Sequence, residues 1–318
     1  MTENKENQPI YSRLAVIGAG LIGSSLARAA RETGAVSYVS ICDLDPDVRA
    51  EAARLDLGDV RETVEAACRD ADLVVLAVPV GAIGAAARAC APVMKSGAVL
   101  SDVGSVKGEM AQEMMQAADT RIHVIPGHPI AGTEKSGPAA GFATLFKGRW
   151  CILTPLEEQG EGYDAEVARL KSFWERLGST VELMDTKRHD LVLSITSHLP
   201  HLIAYNIVAT AEDMEQVTQG EVVKFSAGGF RDFTRIAASD PTMWRDIFMH
   251  NKEAVLETLG RFSEDLAVLQ RAIRWSDGDA LHDLFTRARS IRRSVIEAGQ
   301  DVDVPDFGRV TKPGDDQD

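Results

Sequence analysis

The chain has 318 residues, enough for two domains of about 150 residues each, and a formal net charge of −14 that repels nucleic acid and anionic membranes alike. Any anionic ligand therefore needs a local cluster of basic side chains. The four cysteines, Cys42, Cys68, Cys90 and Cys151, lack CxxC spacing and lie in or beside apolar stretches, which argues against a disulfide framework or zinc site and for a reducing compartment. The polar start "MTENKENQPIYS" lacks the apolar core of a signal peptide, and no run of about 18 apolar residues stands out, so a soluble, cytoplasmic protein is expected.

The first element is legible in "RLAVIGAGLIGSSLARAARETG", where a β-branched apolar run passes through a glycine-rich turn into a helix-period segment ending at Gly34. Gly18, Gly20 and Gly23 fit G-x-G-x-x-G: the first makes the tight turn, the second lets a pyrophosphate approach the backbone, and the third lets helix and strand pack closely. The helix N-terminus then presents free N–H groups to phosphate. A second strand, "SYVSICD", ends in Asp43 about twenty residues later, where a carboxylate accepts hydrogen bonds from ribose hydroxyls and repels a 2′-phosphate. NAD is thus expected as cofactor and NADP disfavoured, with Gly18, Gly20, Leu21, Ile22, Gly23, Asp43, Val78, Pro79 and Ser105 as its expected contacts.

Apolar strands follow at βαβ spacing in "ADLVVLAVPV", "GAVLSDVGS", "RIHVIPGHP" and "RWCILTP", as suits a parallel sheet covered on both faces. Ligands of such sheets bind beyond the carboxyl ends of the strands, which is where Pro79, Ser105 and His128 fall. In "GHPIAGTEKSG", Pro129 restricts His128 to extended backbone, so its ring is expected at a strand end with a fixed aim. A histidine in a loop can equally be an internally bonded or exposed side chain; the neighbourhood of a nucleotide site favours a functional one.

From Asp185 onward strand signals give way to helical ones. The expected organisation is α/β: a Rossmann-type dinucleotide-binding domain over 12–185, an all-helical C-terminal dimerisation domain over 186–300, and a polar tail over 301–318. In "DTKRHDLVLSITSHLPHLIAYNIV", Asp185 can cap a helix whose interior carries Ser194, Ser197, His198, His201 and Tyr205 on one polar stripe, with a kink expected at Pro200. Two histidines on one face can also ligate a metal, but no third ligand stands at a recognisable spacing, so none is expected. Lys224, Arg231, Arg235 and Arg245 then form the basic cluster an anion requires, part of it expected in pairs with Asp232, Asp240 and Asp246. Asp240-Pro241 starts a helix, and Trp244, Ile247, Phe248, Val255, Leu259, Phe262, Leu266 and Leu269 give one long apolar face suited to a homodimer.

The stretches "GAGLIGSS", "SDVGSVK", "GHPIAGTEKSG", "SHLPH" and "FRDFTRIAASDPTMW", in this order, resemble the prephenate and arogenate dehydrogenase family of tyrosine biosynthesis. That resemblance implies oxidation of prephenate or arogenate with NAD and loss of carbon dioxide, giving 4-hydroxyphenylpyruvate or tyrosine. It implies that neutral His128 accepts the proton of the substrate hydroxyl, so that activity falls below a pH near 6.5, the ordinary imidazole value. It also implies that Ser105 bonds that hydroxyl, that His201, His198 and Ser197 line the substrate pocket, that Arg235 or Arg231 holds a carboxylate, and that Glu134 stands at the pocket mouth. A β-hydroxyacid or 6-phosphogluconate type dehydrogenase, which uses a lysine instead, and an NAD-sensing protein without turnover are the alternatives.

Overall fold

The computed structural model describes residues 8–133, 135–157, 160–218, 224, 226 and 228–297. It divides into two compact units, one running to Ile203 and including Ile236–Val255, the other comprising Ala204–Arg235 and the chain from Leu256. The first compact unit extends past residue 185 and keeps the start of the helical half. Glu134 and the 301–318 tail lie outside the described residues.

The first unit alternates strand and helix: β1 Tyr11–Ile17, α1 Leu21–Glu32, β2 Val36–Cys42, α2 Pro46–Arg54, β3 Asp59–Val60, α3 Val64–Cys68, β4 Leu73–Leu76, α4 Ile83–Cys90, β5 Val99–Asp102, α5 Gly108–Ala117 and β6 His123–Val124. All pairings are parallel and the order is β3-β2-β1-β4-β5-β6, the doubly wound arrangement expected from the alternation. β1, β4 and β5 are nearly or wholly buried because both faces are covered, which explains their continuous apolar runs. All four cysteines are free and buried.

Two strand expectations need correction. "RIHVIPGHP" is not one strand: it breaks at Pro126, which cannot donate to a ladder, into β6 and β7 Gly127–Pro129. "RWCILTP" forms β8 Trp150–Leu153, which leaves the parallel sheet and runs antiparallel to β7, while β9 Thr180–Leu183, after α6 Tyr163–Arg176, completes a separate three-stranded sheet. His128 is thus paired opposite Ile152 within an edge strand of that sheet.

α7 Thr186–Leu193 starts where Asp185 accepts the Arg188 N–H at 2.8 Å, the expected cap. It passes through a π-helical turn, Ser194–His198, into α8 Leu199–Thr218. The irregularity expected from Pro200 takes this form, one wide turn just N-terminal to the proline whose missing N–H leaves the Thr196 carbonyl without its helical donor. The stretch Thr186–Met214 is long enough and, in mean composition, apolar enough to cross a membrane, although polar residues interrupt it throughout. Three members of its polar stripe, Ser194, His198 and His201, make side-chain hydrogen bonds within the first unit.

α9 Gly228–Thr234 follows, then α10 Pro241–His250, with Asp240 capping the Met243 N–H at 2.8 Å and Pro241 in the first turn. The long helix expected from Asp240 onward is interrupted: α10 stops at Asn251 (φ −109°, ψ 33°), and α11 Lys252–Arg274 and α12 Gly278–Glu297 complete the chain's described helices. The apolar periodicity runs through the break because both helices bury part of the same stripe, while Asn251 turns a buried amide inward.

Candidate functional site

The three glycines divide their tasks as the turn motif requires. Gly18 adopts φ +99°, and a Cβ there would stand 2.4 Å from the Ala77 carbonyl oxygen; a Cβ on Gly23 would stand 1.9 Å from the Gly18 oxygen. A Cβ on Gly20 would meet nothing within 4 Å, so this face of the turn is open to a ligand. α1 begins next to it with no side-chain cap and no acid in its first turn, leaving its N-terminus free for a phosphate. Asp43 accepts the Ala19 N–H at 2.8 Å and the Asp45 N–H at 3.0 Å, which ties the carboxylate to the turn. Leu21 is buried, Ile22 and Val78 are half-buried and Pro79 is exposed, the last two just past β4. These residues fit a dinucleotide such as NAD.

Past β5 and β7 stands a chain of buried polar groups. His128 is 8% exposed, and its Nδ1 lies 2.9 Å from Nε2 of His189. Nδ1 of His189 lies 2.8 Å from Oδ1 of Asp190, whose two carboxylate oxygens also accept the backbone N–H groups of Lys107 and Gly108, each at 2.8 Å, where α5 begins. Burial tends to raise the Asp190 pKa, but these hydrogen bonds outweigh it and hold the group below the usual carboxylate value. An ionised carboxylate only accepts, so His189 carries its proton on Nδ1 and its Nε2 is an acceptor. His128 must then donate from Nδ1, which leaves its Nε2 as the unprotonated base. Burial, reinforced by the nearby His189 and Lys107, keeps His128 well below the ordinary imidazole pKa.

Beneath this chain Lys107, fully buried, is paired with Asp102 and donates to the Gly127 carbonyl at 2.8 Å. Asp102 in turn accepts the N–H groups of Gly104 at 2.8 Å and Gly127 at 3.2 Å. The residue preceding His128, Gly127, is therefore held at both its N–H and its C=O. Breaking such a pair by removing one partner costs about 3–5 kcal/mol, which makes it a rigid support for the ring.

On the helical side, Asn251 Nδ2 donates to the Asp190 carbonyl at 2.9 Å and lies 3.0 Å from His198 Nδ1. His201 Nδ1 donates to the Ser197 carbonyl at 2.8 Å, and its ring stacks on Trp244 with centroids 3.7 Å apart. Burial lowers both histidines, His198 to about 4.

The structure thus brings His128, His198, His201 and Ser197 into the first unit together with the glycine turn. Ser105 is half-buried in the turn between β5 and α5 and makes no hydrogen bond to His128. Arg231, on α9, and Arg235, just after it, are exposed residues of the second unit, and Arg231 pairs with Asp232 at 3.4 Å. The pH limit expected near 6.5 is corrected: desolvation keeps His128 neutral to lower pH. Sequence reading passed over His189, Asp190, Lys107, Asp102 and Asn251. The one signal was the pair His189-Asp190 at the start of a helix, which spacing alone does not connect to a histidine 61 positions away.

Comparison with known proteins bears on the chain as a whole. Residues 26–183 match the family described as prephenate dehydrogenase, nucleotide-binding domain, and residues 185–287 match its dimerization domain. A cyclohexadienyl dehydrogenase of Zymomonas mobilis is 41% identical over 287 residues, covering 90% of this chain and 97% of the relative. A prephenate dehydrogenase of Bacillus subtilis is 32% identical, covering 91% and 80% respectively. Among solved structures, prephenate dehydrogenase from Aquifex aeolicus in complex with hydroxyphenyl propionate and NAD+ superposes with a TM-score of 0.83 at 32% identity, over 89% of this chain and 98% of that one. Synechocystis arogenate dehydrogenase gives 0.75 at 25% identity, over 89% and 99%. Two adjoining domain matches and relatives alike along most of their length single out one family: the protein belongs to the prephenate dehydrogenases.

Proposed function

We propose that the protein carries out the NAD-dependent oxidative decarboxylation of prephenate, arogenate or both. The observation that carries this reading is the His128–His189–Asp190 chain, which leaves Nε2 of His128 as a neutral base. NAD supplies the hydride acceptor. As hydride leaves the ring carbon bearing the hydroxyl, His128 Nε2 takes the hydroxyl proton and the C–O bond becomes a carbonyl. The ring carboxylate then departs as carbon dioxide, the electron pair of its C–C bond makes the ring aromatic, and the phenolate oxygen recovers a proton from His128. The charge on His128 is stabilised through His189 by Asp190, while burial excludes water from the ring.

In the same reaction Ser105 is assigned the substrate hydroxyl, His201, His198 and Ser197 the substrate body, and Arg235, or Arg231 one turn earlier, a substrate carboxylate held by paired hydrogen bonds. Glu134 is assigned to the pocket mouth. Asp43 favours NAD over NADP by repelling a 2′-phosphate. The match to a dimerization domain and the exposed Leu266, Val268, Ile273 and Phe285 of α11 and α12 support a homodimer. The soluble, acidic composition supports a cytoplasmic enzyme. Incubation with NAD and either substrate, followed by NADH absorbance, tests the reading: neither substrate producing NADH rejects it, and the ratio of the two rates assigns the preference.

A further inference from the structure

We propose that Asn251 is a positioning residue that holds His198 in the tautomer with its proton on Nε2, making that ring a donor-only contact for an oxygen of the bound substrate. The substrate's identity rests on the function proposed above; the tautomer rests on the hydrogen-bond geometry and the burial of the ring.

Asn251 is 5% exposed, in the break between α10 and α11. The side-chain atom 2.9 Å from the Asp190 backbone oxygen must be the amide nitrogen, because a carbonyl only accepts. The same nitrogen lies 3.0 Å from His198 Nδ1, and its second hydrogen is the one available there. His198 Nδ1 therefore accepts. Since burial keeps the ring neutral down to about pH 4, its single proton sits on Nε2. That atom is fully buried and, among the described residues, has no hydrogen-bond partner.

A neighbour shares the predicament. Trp244 stands edge-on to His198, with ring centroids 6.1 Å apart, and its Nε1–H is likewise buried without an acceptor. Two unmet donors on adjacent rings are costly in a folded protein unless a ligand completes them. A carboxylate or ketone oxygen accepts and fits; an ammonium only donates and does not. His201, one turn on, is set the opposite way: its Nδ1–H is held by the Ser197 carbonyl, so its Nε2 is an acceptor. The two rings thus read different polarities, and Asn251 fixes the one at His198.

Long-range 1H–15N correlation spectra of the full-length, 15N-histidine-labelled enzyme at pH 7.5 read the tautomer directly, with His198 assigned by its loss in His198→Gln. The expected pattern is an unprotonated Nδ1 and a protonated Nε2; a proton on Nδ1 overturns the proposal. Asn251→Leu should raise KM for whichever of prephenate and arogenate is turned over by roughly tenfold or more, change kcat less than threefold, and leave the NAD Kd unchanged. Asn251→Asp should raise KM further, because a carboxylate draws the ring proton to Nδ1. A fall in kcat with KM unmoved in Asn251→Leu counts against the proposal, and if that variant does not fold the wild-type spectrum decides. An enzyme inert toward both substrates rejects the proposed function while the same spectrum still reports on His198.

Discussion

Replacing His189 with leucine tests the mechanism at its least obvious residue. The substitution keeps a buried side chain of similar bulk but removes both the 2.9 Å contact to His128 and the 2.8 Å contact to Asp190. In the wild type, the proton gained by His128 at the transition state leaves Nδ1–H bonded to His189; a hydrogen bond to a charged group contributes about 1.5–3 kcal/mol. At about 1.36 kcal/mol per tenfold in rate, its loss predicts a fall in kcat of roughly 10- to 150-fold. The freed His128 also divides between tautomers, one of which has no base at Nε2, and this lowers the rate further. Asp190 keeps the Lys107 and Gly108 N–H groups, so α5 and the glycine turn remain in place and the NAD Kd should be unchanged. Stopped assays of NADH formation at saturating substrate, with NAD binding by fluorescence quenching, provide the measurement. A folded His189→Leu enzyme with kcat within threefold of wild type refutes the relay.

His128→Asn should lower turnover by roughly 100-fold or more while NAD binding persists, the response expected on loss of a general base; unchanged turnover in steady-state assays removes His128 from the mechanism. Gly20→Ala should fold normally and weaken NAD binding, because its Cβ meets only the open face of the turn, whereas Gly23→Ala forces a contact of 1.9 Å with the Gly18 oxygen and should lower thermal stability. Equal effects of the two in calorimetry and NAD titration would contradict the division of tasks among the glycines. Arg235→Ala should chiefly raise KM, and an unchanged KM transfers the carboxylate to Arg231.

What could be read without coordinates was whatever local pattern determines. The glycine turn and the caps at Asp185 and Asp240 are set by neighbours a few residues away, and Asp43 ends its strand where the spacing placed it. The Gly-His-Pro stretch also fixed an extended His128. The misread segments share a cause: Pro126 splits an apolar run without changing its composition, and Asn251 interrupts a helix whose apolar period continues across it. The partners of His128 were illegible because they are joined by register, not by spacing. His189 reaches it only after the chain has built the second sheet and α7, and Lys107 supports it through the Gly127 carbonyl. A polar stripe on a helix suggests a binding role, but only the buried contacts say which ring atoms are committed inside the protein and which are not.

The desolvation that keeps His128 a base also makes the protein sensitive to acid. His128, His189, His198 and His201 are all lowered, burial being the largest cause in each. A group depressed in the folded state is neutral in both states above its unfolded pKa of about 6.5, and below that value only the unfolded chain takes up the proton. Stability is therefore full above pH 6.5 and is lost as pH falls toward the folded value. For His198 the displacement from 6.5 to about 4 corresponds to about 3 kcal/mol at about 1.36 kcal/mol per pH unit. The other three act in the same direction. Urea unfolding at pH 7.5, 6.0 and 5.0 should show this loss, and His198→Gln should reduce its slope between 6.0 and 5.0. Activity should persist below pH 6.5 for as long as the fold does, since the base itself is neutral there. A catalytic acid limb at 6.5 in an enzyme whose unfolding free energy is flat across the same interval would mean that water reaches the His128 ring, and that the buried chain from His128 to Asp190 does not exist in solution.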